Sequence, residues 1–184
     1  MNVYDFDGTI YAGDSTIDFY LFVLRHHPSL LRYLPGQLHA IGLYAFQKLD
    51  KTAMKQSFFS FLRGINTDEM VNQFWHHHKK KIQPWYLAQQ QPTDLIISAS
   101  PEFLLEPICQ QLNVRLLGSR IDPCTGIFQG ENCRGEEKIH RFHLAFPGEN
   151  IECFYSDNSS DAPMAANARQ AFLVRKGTPT PWNP

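Results

Sequence analysis

The sequence predicts an α/β protein in which a parallel, Rossmann-like β-sheet carries helices on both faces. Short runs of β-branched, aromatic and leucine residues indicate strands, and helix-like stretches lie between most of them. These runs occupy residues 2–6, 94–98, 114–117, 151–155 and 172–175. A long interval with no such run separates the first two strands, which predicts an inserted, all-helical subdomain.

The inserted segment, residues 12–89, has a helical pattern throughout. Within it, NTDEM at 66–70 indicates a helix start with Thr67 as the cap and acids in the first turn. One stripe of apolar residues follows helical spacing and comprises Leu34, Leu38, Ile41, Ala45 and Leu49. We therefore predict a core domain formed by residues 1–11 and 90–184, interrupted by a helical domain at 12–89.

The segment 118–135 departs from simple alternation of strands and helices. Its two short extended arms surround Pro-Cys-Thr-Gly, a combination typical of a tight turn. This pattern predicts a hairpin between the third strand and the next helix.

The charge of the chain argues against a nucleic-acid partner, because 17 Lys and Arg residues face 18 Asp and Glu residues. The distribution is uneven: residues 12–90 carry a net charge of +4 and the remainder −5. Two interpretations stay open. In the first, the two regions are ordinary solvated surfaces of unequal charge. In the second, a basic segment suited to anionic ligands faces an acidic core suited to a cation.

The four cysteines lack CxxC spacing, and no signal peptide is evident, so we expect reduced thiols and a cytoplasmic location. No stretch approaches the roughly 18 apolar residues of a membrane span. We therefore expect no integral membrane segment.

The stretch VYDFDGTIY, at 3–11, places two carboxylates side by side at the end of the first strand. An ordinary Asp-Gly turn is one interpretation. An EF-hand loop fails, because its spacing would need Gly at position 10 and Glu at position 16. A phosphate-binding loop fails because Asp14 stands where the cation belongs, and a glycosidase pair needs carboxylates on separate elements. Asp5 and Asp7 therefore indicate a site for a hard divalent cation such as Mg²⁺.

Three further stretches supply matching chemistry beyond other predicted strands. IISASPEF ends the second strand with two hydroxyls, GEEKIHRF places a lysine at a helix start, and SDNSSDAPM follows the fourth strand with two acids. Each has a plain structural interpretation as a cap or a surface residue. Together they place hydroxyl, cation and acid where the crevice of a parallel sheet lies.

With these motifs the chain resembles the haloacid dehalogenase (HAD) superfamily, in the phosphoserine-phosphatase-like group with a helical cap between the first two motifs. The DxDGT motif matches at 5–9, and the later motifs match at Ser98, at Lys138 and at the acidic pair Asp157 and Asp161. Ser156 stands where the family usually has Gly, and Asn158 stands where Ser is common. The resemblance covers essentially the whole chain.

The resemblance implies a Mg²⁺-dependent phosphatase. Asp5 would be the nucleophile, Asp7 the general acid and base, and Mg²⁺ would be held by Asp5, Asp157 and the backbone carbonyl of Asp7. Ser98 and Lys138 would hold phosphate oxygens. The supporting residues would be Asp161, which orients Lys138 or metal-bound water, Asn158 beside it, and Gly8 and Thr9, whose N–H groups would join the phosphate site.

The resemblance also implies a small phosphomonoester as the partner, with the insert selecting it through Asp14, Lys55 and Arg63. Phosphoserine-like compounds and amino-alcohol phosphates are the favoured classes. A phospholipid headgroup is the alternative, because the chain also resembles phosphatidylglycerophosphatases and residues 28–49 would then lie against a membrane surface. A phosphotransferase would share every motif. A phosphate-binding scaffold without turnover would be expected to lack Asp5, Asp7 or Lys138, and all three are present.

Overall fold

A six-stranded sheet forms the centre of the computed structural model, which describes residues 1–182. The strands are β1 (Val3–Tyr4), β2 (Leu95–Pro101), β3 (Arg115–Ser119), β4 (Ile151–Ser156), β5 (Ala168–Arg175) and β6 (Thr178–Pro181). Their order across the sheet is β3-β2-β1-β4-β5-β6. All neighbours are parallel except β5 and β6. The predicted parallel sheet is confirmed for five strands, and β1 is shorter than predicted.

The sixth strand was not predicted, and its residues explain why. The two prolines of Thr178–Pro181 lack the N–H groups that a central strand needs, but an edge strand tolerates them. Lys176 and Gly177 both have positive φ, +50° and +76°, as a tight hairpin turn requires. β6 therefore folds back on β5 and ends the sheet.

Every named element between β1 and β2 is helical. The helices are α1 (Ser15–His26), α2 (Leu34–Ala45), α3 (Lys51–Phe58), α4 (Thr67–His78) and α5 (Pro84–Gln89), with 3-10 turns at Pro28–Tyr33, Phe59–Gly64 and Lys79–Lys81. The two ends of this insert are hydrogen bonded to each other: Ala12 N–H donates to Lys81 O, and Gln83 N–H donates to Ile10 O, both at 2.8 Å. The domain division at 11/12 and 89/90 stays a prediction.

Helices cover both faces of the sheet, as predicted. The remaining helices are α6 (Glu102–Gln111), α7 (Glu136–Ala145) and α8 (Ala162–Ala166). Successive strand residues point to opposite faces. Leu95 and Ile97 of β2 pack in one cluster with Phe142 of α7, whereas Ile96 packs in the other with Leu104 of α6.

The apolar stripe on α2 points largely away from the core. Leu38 is 57% exposed and Ile41 46% exposed, whereas Gln37 and Ala40 are buried. Gln37 is accommodated because Tyr20 donates its hydroxyl to Oε1 at 2.7 Å and Nε2 donates to the carbonyl oxygen of Phe58 at 2.9 Å. No helix within residues 1–182 combines the length and the apolar character needed to cross a bilayer.

Two local predictions need correction. Asn66, not Thr67, caps α4 through its side-chain oxygen, and Thr67 instead donates its hydroxyl to Pro123 O at 2.6 Å. Asn and Thr are both good caps, so sequence alone places the boundary within about a residue. The hairpin predicted within 118–135 is present around Pro-Cys-Thr-Gly but is shorter than predicted, with one antiparallel bridge between Ile121 and Phe128. The Asp122 carboxylate holds its turn.

Candidate active site

A cavity of about 700 Å³ lies at the carboxyl ends of the central strands, where a parallel sheet places its ligand crevice. The sheet contributes residues that end or follow β1, β2 and β4, and α1, α2 and α3 line the opposite wall. The predicted site residues that line it are Asp5, Asp7, Gly8, Asp14, Lys55, Ser98, Lys138, Asp157, Asn158 and Asp161. Side chains from distant parts of the sequence therefore meet in one place.

Lys138 is the centre of a buried charge cluster. Its Nζ lies 2.8 Å from Asp5 Oδ1 and 2.7 Å from Asp161 Oδ2, and its side chain is 2% exposed. Ser156 also donates its hydroxyl to Asp161 Oδ2, at 2.8 Å. Burial opposes a charge on Lys138, but the two carboxylates outweigh it and raise the pKa of the ammonium. Lys138 is thus held charged against Asp5.

Asp5 follows β1 directly, and its N–H donates to Tyr155 O on β4 at 2.8 Å, which fixes the backbone at the sheet edge. Burial raises the pKa of its carboxyl, while the charge of Lys138 acts in the opposite direction. The structure thus places a carboxylate with a neighbouring cation in the buried lining of the cavity.

Asp7 is held at both carboxylate oxygens. The Ser15 N–H donates to Oδ1 at 2.6 Å, and the Ser100 hydroxyl donates to Oδ2 at 2.5 Å. Burial first, and then the charge of Asp14, raise the pKa of Asp7 to about 6, although these two hydrogen bonds act to lower it. A carboxyl in this range suits proton transfer near neutral pH.

Asp157 lies directly against Gly8. A β-carbon on Gly8 would overlap the Asp157 carboxylate, and Gly8 has φ +69°, a conformation that glycine adopts without strain. The Asp157 N–H donates to Thr9 Oγ1 at 3.0 Å. Burial raises the pKa of the Asp157 carboxyl, and no Lys, Arg or His in residues 1–182 forms an ion pair with it.

The supporting role predicted for the Gly8 and Thr9 N–H groups needs correction. Gly8 N–H donates to Gly13 O at 2.8 Å, and Thr9 N–H donates to Phe6 O at 3.3 Å. These donors close the loop after β1 and are not directed at a ligand. Thr9 acts through its hydroxyl, which anchors the segment that carries Asp157.

Ser98 and Asn158 occupy the remaining predicted positions around the cavity. Ser98 is buried, and its Oγ accepts the Ser100 N–H at 3.1 Å, a bond that does not use its own hydroxyl proton. Asn158 caps the 3-10 turn Ser159–Asp161, with its side-chain oxygen accepting the Ser160 N–H at 2.9 Å. Ser98 is thus free to donate to a ligand oxygen, whereas Asn158 shapes the turn that delivers Asp161.

Two of the three predicted substrate contacts line the cavity, and the third does not. Asp14 lines the cavity and also caps α1, accepting the Ile17 N–H at 2.9 Å, while its contact with a substrate stays a prediction. Lys55 reaches the cavity from α3. Arg63 does not line it: this residue is exposed, and its Nε donates to Thr125 O at 3.2 Å, outside the cavity.

The family comparison agrees with this geometry. The model of the haloacid dehalogenase-like hydrolases matches residues 3–166. The chain belongs to this family. Among curated proteins, none matches the sequence of this hydrolase.

Several solved structures share the fold of this hydrolase. A protein of unknown function from Bordetella pertussis Tohama I is 18% identical with a TM-score of 0.74, and the match covers 93% of this chain and 87% of that one. A HAD family hydrolase from Salmonella enterica serovar Typhi is 16% identical with a TM-score of 0.64, and the match covers 90% of this chain and 59% of that one. A probable phosphoserine phosphatase from Vibrio cholerae is 11% identical with a TM-score of 0.62, and the match covers 93% of this chain and 55% of that one.

The hydrolase spans less than two thirds of the Salmonella and Vibrio proteins, and identities this low establish the shared fold. Family membership together with this fold confirms the resemblance to phosphoserine-phosphatase-like HAD proteins. The family model identifies the protein as a hydrolase.

The carboxylates of this hydrolase fit a hard divalent cation. Within residues 1–182, no three His, Cys, Asp or Glu side chains form a ready-made metal cage. The predicted set is smaller: the carboxylates of Asp5 and Asp157 and the carbonyl oxygen of Asp7. Mg²⁺ characteristically takes one or two carboxylates and leaves other positions to water and substrate phosphate. Asp157, which lacks a cationic partner among the described residues, is the group that most needs the ion.

Sequence analysis missed three residues at the site. Arg134 lines the cavity, and its Nε donates to Ser160 Oγ at 3.3 Å. Ser100 and Thr16 also line it, and their hydroxyl oxygens lie 2.9 Å apart. Proximity to Lys138 was a signal for Arg134, and the repeated serine of SAS was one for Ser100, but no sequence signal distinguishes Thr16 from an ordinary helix-start residue.

Proposed function

We propose that this hydrolase is a Mg²⁺-dependent phosphomonoesterase that acts through an aspartyl-phosphate on Asp5. The observation that carries the proposal is the meeting of Asp5, Lys138, Asp157 and Ser98 at one cavity. These four residues come from separate elements, and they supply the nucleophile, the cation, the metal ligand and the hydroxyl that phosphoryl transfer needs.

In the first step a carboxylate oxygen of Asp5 attacks phosphorus, and the bond from phosphorus to the substrate oxygen breaks. Asp7, protonated, gives its proton to the departing oxygen, so that an alcohol leaves. Lys138 and Ser98 stabilise the negative charge on the phosphoryl oxygens. Asp161 keeps Lys138 in place through the 2.7 Å contact between Nζ and Oδ2.

In the second step Asp7, now ionised, accepts a proton from water. The water oxygen attacks phosphorus, the bond from phosphorus to Asp5 breaks, and inorganic phosphate leaves. Asp7 is protonated again and the cycle is closed. The two steps replace one difficult displacement by two easier ones.

Asp5, Asp157 and the Asp7 carbonyl would hold the Mg²⁺. When bound, the ion supplies positive charge that reduces repulsion between the carboxylate nucleophile and the anionic phosphate. All other steps belong to the side chains named above.

The substrate we favour is a small phosphorylated metabolite with an amino or carboxyl group, or an amino-alcohol phosphate. Asp14 at the cavity wall would bind an amine. Lys55 Nζ now donates to two neutral oxygens, of Ala99 at 3.2 Å and of Asn132 at 2.9 Å. A substrate carboxylate would compete well for this ammonium, because charge-assisted hydrogen bonds are stronger than neutral ones.

The test is phosphate release from 4-nitrophenyl phosphate with and without Mg²⁺, for wild type, Asp5→Asn and the exposed control Asp68→Asn. We expect turnover only with Mg²⁺, none with Asp5→Asn, and wild-type rates with Asp68→Asn. Turnover by Asp5→Asn, or turnover that ignores Mg²⁺, would refute the mechanism. Adding glycerol as an acceptor separates hydrolysis from phosphotransfer, and absence of any turnover would favour the scaffold.

A phospholipid headgroup phosphatase is the second candidate, favoured by one observation. Ile41 lines the cavity and is also 46% exposed on α2, beside Leu38 and close to Phe46, which is 79% exposed. An exposed apolar helix at the cavity mouth is suited to an interface with lipid. Faster release from phosphatidylglycerophosphate in vesicles than from phosphoserine and phosphocholine would support this candidate over the soluble substrates.

A further inference from the structure

Ser100 connects the predicted general acid to the helical insert. Its hydroxyl contacts Asp7 Oδ2 at 2.5 Å and Thr16 Oγ1 at 2.9 Å. Asp7 follows β1, Ser100 ends β2 and Thr16 lies in the first turn of α1. Ser100 is buried, and all three residues line the cavity. This chain of hydroxyls is separate from Lys138 and from Asp157.

The directions of these two hydrogen bonds follow from the number of protons. A serine hydroxyl has one proton, and Ser100 gives it to Asp7 Oδ2 when that carboxylate is ionised and can only accept. Thr16 is therefore the donor to Ser100 Oγ. The order Thr16 to Ser100 to Asp7 fixes the rotation of the Ser100 hydroxyl.

The backbone of Ser100 is fixed independently of Asp7. Its N–H donates to Ser98 Oγ at 3.1 Å. The preceding carbonyl, of Ala99, accepts from Lys55 Nζ at 3.2 Å and from Ser119 Oγ at 3.0 Å. Ser100 thus holds Asp7 from a rigid position and does not merely follow it.

We propose that Ser100 is a positioning residue for the general acid, holding the Asp7 carboxyl so that its proton faces the departing oxygen. This inference rests on the proposed function. With the Ser15 N–H on Oδ1 and the Ser100 hydroxyl on Oδ2, the carboxyl plane is held at two points, and rotation about its last bond is restricted. Loss of the Ser100 hydroxyl leaves Asp7 Oδ2 without this hydrogen bond, so that only the Ser15 N–H on Oδ1 still holds the carboxyl.

The consequence is specific to the bond that breaks. When phosphorus separates from the substrate oxygen, that oxygen keeps the electron pair and takes the proton of Asp7. A weakly basic phenolate leaves without needing that proton, whereas a strongly basic one needs it. Misplacement of Asp7 should therefore slow only the substrates with poor leaving groups.

The experiment measures kcat/KM for a series of aryl phosphates, from 2,4-dinitrophenyl to phenyl phosphate, with wild type, Ser100→Ala and Thr16→Val. Since kcat/KM covers only the steps up to the departure of the alcohol, it isolates the acid role. For Ser100→Ala we expect a loss of about tenfold to a hundredfold with phenyl phosphate and under about threefold with the dinitrophenyl ester. Thr16→Val, which keeps the shape of the side chain, should show a smaller change in the same direction.

Two controls complete the design. Ser57→Ala removes a hydroxyl of α3 that donates to Gly36 O and does not line the cavity, so any loss should be equal across the series. Asp7→Asn, which removes the general acid, should give the steepest dependence of kcat/KM on the leaving group. Its slope is the reference with which the slope of Ser100→Ala is compared. Equal losses across the series for Ser100→Ala, or no loss, overturn the inference. If Asp5→Asn remains active, the proposed function itself fails, which is a separate outcome.

Discussion

Asp5 and Lys138 stand 133 positions apart in the sequence, and Lys138 Nζ lies 2.8 Å from Asp5 Oδ1 in a pocket from which water is nearly excluded. A buried ion pair of this kind is poor evidence for stability, because desolvation offsets most of the attraction. It does place a fixed cation beside the carboxylate that we propose attacks phosphorus. We therefore expect the pair to matter more for turnover than for folding, provided that both members are present.

Removing Lys138 alone should be costly for both properties. Lys138→Met leaves Asp5 and Asp161 as uncompensated buried carboxyls, and breaking a buried pair costs about 3–5 kcal/mol of unfolding free energy. The loss should be larger at pH 8 than at pH 5. Burial already raises the pKa of Asp5, so near pH 5 the protonated, neutral carboxyl does not need the cation, whereas at pH 8 ionisation makes it necessary.

Urea unfolding at the two pH values checks this expectation. The exposed Lys80→Met serves as the control and should unfold like the wild type at both. A loss for Lys138→Met that is equal at pH 5 and pH 8 would contradict the assignment of that loss to ionised Asp5.

Gly8→Ala should lower turnover strongly at a low, fixed Mg²⁺ concentration. The new β-carbon would displace the Asp157 carboxylate, and φ +69° adds backbone strain. Gly148→Ala is the matched control, since Gly148 has φ +81° but no atom within 4 Å of the added carbon. Both substitutions should cost about 1–2 kcal/mol of stability.

Only Gly8→Ala should raise the Mg²⁺ concentration needed for half-maximal activity, by about tenfold or more, which is the range typical of a disturbed metal neighbour. Titration of activity with Mg²⁺ for the two variants distinguishes the outcomes. An unchanged Mg²⁺ requirement in Gly8→Ala would mean that Asp157 does not bind the ion.

The sequence predicted the catalytic side of the cavity because strand ends carry it. Asp5, Ser98 and Asp157 end or follow strands whose residue types are distinctive, and parallel strands bring their carboxyl ends to one edge. The insert was harder to predict. Periodicity identifies α2 as a helix but not which neighbour covers it, so the exposure of Leu38 was not foreseen. Arg63 lies in a 3-10 turn whose direction depends on packing against the loop at 122–126, which no local pattern encodes.

Lys55 and Arg63 offer a matched pair for testing how the insert selects substrate. Lys55 is largely buried at the cavity, and burial lowers the pKa of its ammonium while Asp14 and Asp7 oppose that shift. Lys55→Met should raise the KM for phosphoserine by about tenfold, since a hydrogen bond to a charged group is worth about 1.5–3 kcal/mol. Arg63→Met, away from the cavity, should leave that KM unchanged.

Phosphoethanolamine, which lacks the carboxylate, serves as the second substrate in the same kinetic measurements. We expect the two KM values to rise unequally in Lys55→Met, with the larger rise for phosphoserine. A rise shared by both substrates would show that Lys55 acts by holding the Ala99 carbonyl and not by binding the substrate.

Asp18 should stabilise the insert in a pH-dependent way. Its Oδ2 accepts hydrogen bonds from Tyr11 and Lys81, each at 2.7 Å, which joins α1 to both ends of the insert. Burial acts to raise the pKa of Asp18, but these two bonds outweigh it and lower the pKa below its ordinary value. A carboxyl with a lowered pKa stabilises the fold above the unfolded pKa, about 3.9, and this contribution disappears as the pH falls through the folded value.

Asp18→Asn should therefore lower the unfolding free energy at pH 7, by less than about 1 kcal/mol because the pair is partly exposed and screened by solvent. The difference from wild type should shrink steadily below pH 4, as measured by urea unfolding. Glu152→Gln, which removes the more exposed ion pair between Glu152 and Arg169, is the control and should differ little from wild type at any pH. A destabilisation of Asp18→Asn that persists unchanged at pH 3 would assign the effect to packing, because the protonated wild-type carboxyl would by then have lost its charge as well.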